Sequence, residues 1–440
     1  MSFNTEQQHA LEAALKGKSF FLTGPGGTGK SYVLAKIRDQ LECTGQKVAM
    51  TAMTGCAALL LGSKAKTLHS WSGIGLGREK ALVHVANIRK SMKSLRRWLS
   101  TDVLILDEVS MLTIELLEKL NTIAQQVRRS TQPMGGLQII FVGDFFQLPP
   151  VVKVERTAEK EFVFESPSWK EIVPFTIKLK EIMRQRDPIF HEVLEEARRG
   201  DLSEISLNIL RSRLNLDWQN LKIRPTLLFS RKAEVEHVNT SNLKLLKGEK
   251  HTFMAETVLS PILATEGLTT KSPQVLYAIE RLDKDAPYVK ELQLIVGAQV
   301  MLTYNLDFES GLVNGSRGVI VGFSSDGIPM PLVQFKTGLP IPIGRMTWES
   351  DDLEGVVRSQ IPLRLAYAVT IHKAQGATLD CALIDIGHST FECGQAYVAL
   401  SRVKSLESLY IWDLEPSAFK THTKVIKFYD SCRDVSVSKI

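Results

Sequence analysis

At 440 residues the chain is too long for a single hydrophobic core, so several domains are expected. Its 44% hydrophobic and 23% charged composition is that of an ordinary globular protein, and no apolar run approaches the roughly 18 residues a membrane helix needs. A net charge of +6 permits a polyanionic partner without requiring one, and five scattered cysteines with no C-x-x-C pair argue against a disulfide framework or a zinc knuckle.

The start, MSFNTEQQHA, has neither the basic residues nor the apolar stretch of a signal peptide, and it lacks the arginines of a transit peptide. A cytoplasmic enzyme is expected. Ser19–Thr23 reads as a short apolar strand, followed by a helix with Val33, Leu34, Ile37 and Leu41 on one face. Lys47–Met53 reads as a strand and the run to Leu61 as a helix. Val103–Leu106 and Leu137–Val142 are continuous apolar runs, as expected of strands buried on both faces. The fold class is therefore α/β, with a parallel sheet covered by helices. From about Gly297 to Trp348 short runs divided by Gly, Pro and Asn suggest a small β-barrel or sandwich, and α/β texture resumes at Leu363.

Gly24-Pro25-Gly26-Gly27-Thr28-Gly29-Lys30-Ser31 fits G-x-x-x-x-G-K-[ST] in full and lies between a strand and a helix. The glycines let backbone N–H groups surround phosphates, and the helix N-terminus adds partial positive charge. Lys30 is expected on the β- and γ-phosphates of ATP and Ser31 on Mg²⁺. Val103-Leu104-Ile105-Leu106-Asp107-Glu108 supplies the complementary half: Asp107 is placed to hold Mg²⁺, and Glu108 to orient or deprotonate the attacking water. Read alone, an acidic pair after a strand is as readily a helix N-cap. No second complete cradle exists, so the cation that offsets γ-phosphate charge must come from elsewhere in the chain or from a neighbouring subunit.

These residues, with the motifs that follow them, resemble superfamily 1 helicases of the 5′-to-3′ branch, specifically the PIF-type (petite integration frequency) family, related to RecD. The resemblance runs from Thr5 to about Val403. It implies that Gln7, in Thr5-Glu6-Gln7, reads adenine, and that Gly24, Gly26, Gly27, Thr28, Gly29 and Gly376 contribute to nucleotide binding with Lys30 and Ser31. Thr51-Ala52-Met53-Thr54-Gly55 and Thr67-Leu68-His69-Ser70-Trp71 resemble DNA-contacting motifs, implicating Thr54, Gly55 and His69. In Gly143-Asp144-Phe145-Phe146-Gln147-Leu148-Pro149-Pro150 the resemblance makes Gln147 a γ-phosphate sensor and puts Phe145 and Pro149 near DNA. Leu179-Lys180-Glu181-Ile182-Met183-Arg184-Gln185 resembles the motif whose arginine, here Arg184, contacts the γ-phosphate; the family often has Phe or Tyr at the Met183 position. Asn314-Gly315 with Gly318 resembles an SH3-like subdomain. Ala366-Tyr367-Ala368-Val369-Thr370-Ile371-His372-Lys373-Ala374-Gln375-Gly376 adds Thr370, His372 and Lys373 as DNA contacts, and Tyr397-Val398-Ala399-Leu400-Ser401-Arg402 adds Arg402 as a second arginine finger.

Plainer roles compete for several of these residues. Arg184 is also readable as a surface ion-pair residue, Arg402 as the cap of a helix C-terminus, and Phe145 or Phe146 as core. Ile88–Leu99, with Ile88, Met92, Leu95 and Leu99 at helical spacing, reads as an amphipathic helix whose Arg89, Lys90, Lys93, Arg96 and Arg97 form either a solvated face or a DNA-facing wall. His191-Glu192 begins like a zinc-protease helix, but position 195 is Glu, so no metal is expected there.

The resulting expectation is two RecA-like lobes with ATP between them: lobe one over 1–66 and 100–176, a small insert over 67–99 that carries a possible strand-separating element, lobe two over 177–250 and 360–414, an insert with the SH3-like subdomain over 251–359, and a tail over 415–440. The activity implied is ATP- and Mg²⁺-dependent 5′-to-3′ translocation on single-stranded DNA by a monomer that unwinds tailed or forked duplexes. The resemblance alone carries the polarity. A translocase that strips proteins without separating strands well, and a nucleotide-switched DNA-binding scaffold with little turnover, are the rivals. The short segment ahead of Thr5 suggests a bacterial or viral source.

Overall fold

The computed structural model describes residues 3–432 apart from 63, 76, 151–160, 186, 222–223, 305, 308–309, 311, 325–328, 336–337 and 351–352. In chain order the elements are α1 (Thr5–Leu15), β1 (Phe20–Thr23), α2 (Lys30–Cys43), β2 (Val48–Ala52), α3 (Gly55–Leu60), β3 (Lys66–Thr67), α4 (Leu68–Ser72), α5 (Ala81–Lys90), α6 (Met92–Ser100), β4 (Val103–Asp107), α7 (Ile114–Arg128), β5 (Gln138–Gly143), α8 (Trp169–Ile172), β6 (Thr176–Lys178) and α9 (Pro188–Arg199). The chain continues through α10 (Glu204–Arg211), β7 (Thr226–Phe229), α11 (Lys232–Leu245), β8 (His251–Met254), β9 (Glu256–Leu259), α12 (Pro261–Thr265), α13 (Pro273–Asp285), β10 (Glu291–Leu294), β11 (Gln299–Leu302), β12 (Arg317–Phe323), β13 (Pro331–Phe335), β14 (Ile341–Pro342), β15 (Met346–Glu349), β16 (Val356–Gln360), β17 (Leu363–Leu365), β18 (Ala368–Thr370), α14 (Ile371–Ala374), β19 (Ala382–Ile386), α15 (Gln395–Leu400), β20 (Leu409–Leu414) and α16 (Thr423–Ser431).

Two units emerge. The first comprises Met1–Ser203, Glu392–Ser401 and Phe419–Ile440. Its six strands form a wholly parallel sheet in the order β3-β2-β4-β5-β1-β6. The apolar runs that mark β1, β4 and β5 are buried on both faces. One face carries α1 and α2, whose Ala10, Ala13, Val33, Leu34, Ile37 and Leu41 share a core with Phe20, Leu22, Ile105 and Ile140. The opposite face carries α4 to α7, with Trp71, Val85, Ile88, Trp98, Leu117 and Leu120 against Phe21, Leu104 and Phe141.

Four domain and element expectations change here. β6 pairs in parallel with β1, with Leu22 opposite Ile177, so the first unit continues past 177 to Ser203; Ile177 and Leu179 are apolar and fill its core. The 67–99 segment does not stand apart, because Trp71 and Trp98 (ring centroids 4.7 Å apart) are part of the unit's main core. The helix read over 88–99 is two helices broken at Ser91, whose hydroxyl accepts the Ser94 N–H and caps α6. The break shifts the helical phase, so Trp98 and Ser94 are buried while Met92 and Leu99 are exposed. Finally, the stretch after Leu414 is not a bare tail: Val425 and Tyr429 on α16 enter the first unit's core, while 433–440 lie outside the described residues.

The second unit comprises Glu204–Phe391 and Arg402–Ala418. It holds a four-stranded parallel sheet, β18-β7-β19-β20. The stretch from about Gly297 to Trp348, expected as a small β-barrel or sandwich, contributes to two of the unit's three antiparallel sheets, β14-β13-β12-β11-β17 and β15-β16-β9; the third is β10-β8. The five-stranded sheet and the β10-β8 pair share a core that includes Phe253, Leu294, Val300, Ile320 and Val333, whereas β9 and β16 pack with α12 and α13 through Leu259, Leu263, Val275 and Val356. Among the described residues no helix is long and apolar enough to cross a membrane.

Candidate active site

The parallel order sets β4, β5 and β1 side by side, with Leu106 opposite Phe141 and Thr23 opposite Gly143. Their carboxyl ends therefore bring three loops together: Gly24–Gly29, Asp107–Glu108 and Asp144–Gln147. Crevices at the carboxyl ends of such strands are where α/β proteins bind ligands.

The first loop needs its glycines. Gly27 has φ +90° and Gly29 φ +83°, a region that side chains avoid. A Cβ on Gly27 would lie 2.7 Å from the Arg184 Cβ and 2.8 Å from Gln185 Oε1. Gly29 caps α2, and a Cβ there would meet Gln7 Nε2 at 3.2 Å. Gln7 itself is oriented by a capping box: its N–H donates to Asn4 Oδ1 (2.9 Å) and its Oε1 accepts the Asn4 N–H (3.3 Å), leaving Nε2 to donate to Thr28 O at 3.4 Å. Lys30 Nζ donates to Gly24 O (2.7 Å) and Pro25 O (2.9 Å). Burial lowers its pKa, opposed by the carboxylates of Asp144, Glu108 and Asp107. The Gly26 N–H donates to the Tyr397 hydroxyl at 2.8 Å. Ser31 is exposed beside Lys30.

Asp107 ends β4, and its Oδ1 accepts the Glu108 N–H at 2.8 Å. Burial and the neighbouring Glu108 raise its pKa to about 7, against the opposing pull of that N–H and of Lys30. Glu108 holds the left-handed conformation, φ +56° and ψ +42°. Such a conformation costs about 1–3 kcal/mol in a residue with a side chain and clusters at functional sites. Ser31 and Asp107 together offer hard oxygen donors, the kind a small divalent cation takes. No group of three or more His, Cys, Asp or Glu that could hold a metal occurs among the described residues.

In the third loop Asp144 is fully buried and takes a two-point ion pair from Arg198: Nη2 to Oδ1 at 2.9 Å and Nε to Oδ2 at 3.1 Å. The Arg198 guanidinium also lies 4.2 Å from the Phe146 ring centroid. Gln147 is buried, and its N–H donates to Asp144 O at 2.9 Å. Phe145 and Pro149, read as lying near DNA, are both buried in this structure. Phe145 is 3% exposed and sits among Phe21, Phe164, Trp169 and Phe428 at 5.0–5.8 Å, so its ring is core; Pro149 is likewise buried. Phe146 is core too.

Arg184 lies in the first unit, not in a second lobe. The Met183 and Arg184 N–H groups both donate to Gly27 O (2.8 and 3.1 Å), which ties their segment to the glycine loop, and Arg184 Nη1 donates to Ser401 O at 3.1 Å. Arg402 belongs to the second unit, where its buried guanidinium donates to the carbonyls of Ala374 and Ala377, at and just beyond the end of α14. Of the residues read as DNA contacts, Thr54 Oγ1 accepts the Ala57 N–H beside Gly55 at the start of α3, and His69 is half-buried on α4. Thr370 caps α14, accepting the Lys373 N–H; His372 is half-buried, Lys373 is exposed, and Gly376 follows in a left-handed turn, φ +79°.

Arg198 and Tyr429 are additions that no motif flagged. The Tyr429 hydroxyl lies 2.7 Å from Thr23 Oγ1, accepts the Phe145 N–H at 3.1 Å and reaches Asp144 Oδ1 at 3.4 Å.

Comparison with known proteins agrees with this geometry. The PIF1-like helicase family model matches residues 2–214, and the model of the DNA helicase Pif1 2B domain matches residues 279–323. The chain is 39% identical over 431 residues to the ATP-dependent DNA helicase PIF1 of Danio rerio, covering 97% of this chain and 64% of that protein; it thus spans somewhat under two thirds of that relative's length. The crystal structure of the Pif1 helicase from Candida albicans superposes with a TM-score of 0.79 at 35% identity, covering 98% of this chain and 99% of that one. A Bacteroides Pif1 helicase in complex with ADP-AlF3 and ssDNA gives a TM-score of 0.67 at 26% identity, with 98% and 97% covered. The two parallel sheets are those of two RecA-like lobes, and the chain belongs to the PIF1-like helicase family.

Proposed function

We propose that the protein is an ATP-dependent DNA helicase that translocates 5′-to-3′ on single-stranded DNA and unwinds tailed or forked duplexes. The observation that carries this reading is the convergence, at one sheet edge, of the Lys30 loop, the Asp107-Glu108 pair and the Asp144–Gln147 loop. Family membership supports the DNA substrate, and the polarity rests on the motif resemblance alone.

In this reading Lys30 exchanges its Gly24 and Pro25 carbonyls for the β- and γ-phosphates, and the Gly26 N–H exchanges the Tyr397 hydroxyl for a phosphate oxygen. Gln7 holds adenine by its amide. Ser31 and Asp107 would hold Mg²⁺, which when bound neutralises phosphate charge. Glu108 accepts the proton of the attacking water. Arg184, and Arg402 as a second cation, offset the charge that develops on the γ-phosphate. Gln147 reports the γ-phosphate to its loop, while Thr54, Gly55, His69, Thr370, His372 and Lys373 grip DNA through backbone contact and base stacking, which tolerates any sequence. In this reading the chain works as a monomer, with a mass independent of concentration.

The test is steady-state ATP hydrolysis with and without single-stranded DNA. Turnover that DNA stimulates and that Lys30→Ala abolishes supports the reading. Nucleotide binding without multiple turnover would make the protein a nucleotide-switched scaffold.

A further inference from the structure

The C-terminal helix delivers one side chain into the middle of the site. Tyr429 comes from α16, 285 positions beyond Asp144, yet its hydroxyl joins the end of β1, which leads into the phosphate loop, to the Asp144–Gln147 loop. Thr23, its partner at 2.7 Å, is the last residue of β1, immediately before Gly24. Phe145, whose N–H it accepts at 3.1 Å, lies two residues before Gln147. The ring completes the arrangement. It stacks on Phe146 with centroids 4.8 Å apart and planes 12° from parallel, and Arg198 covers Phe146 at 4.2 Å. The backbone of residues 145–146 is thus fixed from α16 by one hydrogen bond and one stacked ring, and Asp144 by Arg198. Burial and the Asp144 carboxylate raise the phenol's pKa, so it stays protonated and keeps its O–H to share between Thr23 and Asp144.

We propose that Tyr429 is a positioning residue for ATP hydrolysis: its hydroxyl ties the strand that feeds the phosphate loop to the loop that carries Gln147, so that the two move as one body when DNA stimulates turnover. A buried hydroxyl that accepts the Phe145 N–H and bonds the last residue of β1 is costly to leave half-satisfied, which makes it an effective tie. A hydrophobic anchor for α16 needs the ring alone.

The proposal rests on the DNA-stimulated ATPase reading, and its test separates the two. ATP hydrolysis is measured with and without saturating oligothymidylate for wild type, Tyr429→Phe, Thr23→Val and the double variant, alongside fluorescent-nucleotide stoichiometry to count competent sites. Tyr429→Phe keeps the ring and loses the tie. Its stimulation ratio is expected to fall about fivefold or more, while stoichiometry and KM for ATP stay within about twofold of wild type. Thr23→Val should lower the ratio similarly, and the double variant should be no worse than the lower single. A Tyr429→Phe ratio equal to wild type overturns the proposal, as does a double variant in which the two losses multiply. A fall in activity that tracks a fall in competent sites reduces Tyr429 to a core residue and overturns it too. Should Tyr429→Phe fail to fold, Thr23→Val leaves α16 intact and reads the same bond: a lowered ratio supports the tie and an unchanged one overturns it. A wild type that hydrolyses ATP without stimulation overturns the proposed function, and the coupling role with it.

Discussion

Replacing Arg198 with alanine offers a strong test of how the site is held. Asp144 is fully buried, and the Arg198 side chain is 9% exposed. The pair makes two hydrogen bonds, at 2.9 and 3.1 Å, and the guanidinium adds a ring contact at 4.2 Å. Burial lowers the arginine's pKa, but the Asp144 carboxylate outweighs it and the net shift is upward. Arg198→Ala leaves the carboxylate in the core with the Phe146 N–H and the Tyr429 hydroxyl as partners. Breaking a buried pair from one side costs about 3–5 kcal/mol, and the lost cation–π contact adds up to about 2 kcal/mol. At roughly 2–4 °C per kcal/mol for a domain of 150–250 residues, Tm should drop by on the order of 10 °C. The assay is thermal unfolding of wild type, Arg198→Ala, and the Asp144→Asn/Arg198→Met double variant, which removes both charges and should unfold at a higher temperature than Arg198→Ala. A drop of less than about 2 °C for Arg198→Ala, or a double variant less stable than that single, would refute the reasoning.

Three further outcomes are expected. Lys30→Ala should abolish ATP turnover and retain binding of single-stranded DNA in a filter or anisotropy assay; wild-type turnover would remove the phosphate-loop assignment. Asp107 titrates at about 7 in the folded protein, above its ordinary 3.8, so the folded state holds that proton more tightly and the group's contribution to stability declines as pH rises from about 4 to about 7. In chelator at pH 8, Asp107→Asn should therefore melt above wild type, although with Mg²⁺ restored it should hydrolyse no ATP, and the melting advantage should vanish near pH 3.5; a variant that melts below wild type at pH 8 contradicts this. Arg402→Ala should lower turnover about 10³-fold, and because its guanidinium also bonds the Ala374 and Ala377 carbonyls, thermal melts must accompany the kinetics; unchanged turnover leaves Arg402 a helix cap.

What could be read in advance was local. The apolar runs of β1, β4 and β5 and the Val33-Leu34-Ile37-Leu41 face of α2 are short-range patterns, and all four α2 residues are fully buried. The glycine loop was legible because φ +90° at Gly27 and +83° at Gly29 are demands that glycine itself announces. Tertiary partners were not legible. Nothing near Arg198 names Asp144, 54 positions earlier, and nothing near Tyr429 names Thr23, 406 positions earlier. The family resemblance puts Phe145 near DNA and its aromatic character makes it equally readable as core, and the motif itself does not name the five aromatic neighbours that enclose it. The break within 88–99 is not legible in the sequence because Ser91, a residue tolerated within helices, here serves as an N-cap and resets the phase.

The most direct test of the central claim uses two matched partial duplexes, one with a 5′ single-stranded tail and one with a 3′ tail, incubated with the protein, ATP and Mg²⁺. The account predicts ATP-dependent strand separation of the 5′-tailed duplex and none of the 3′-tailed one. Unwinding of only the 3′-tailed duplex would contradict the assigned polarity, and failure to open either while DNA still stimulates ATP hydrolysis would make the protein a translocase rather than a helicase.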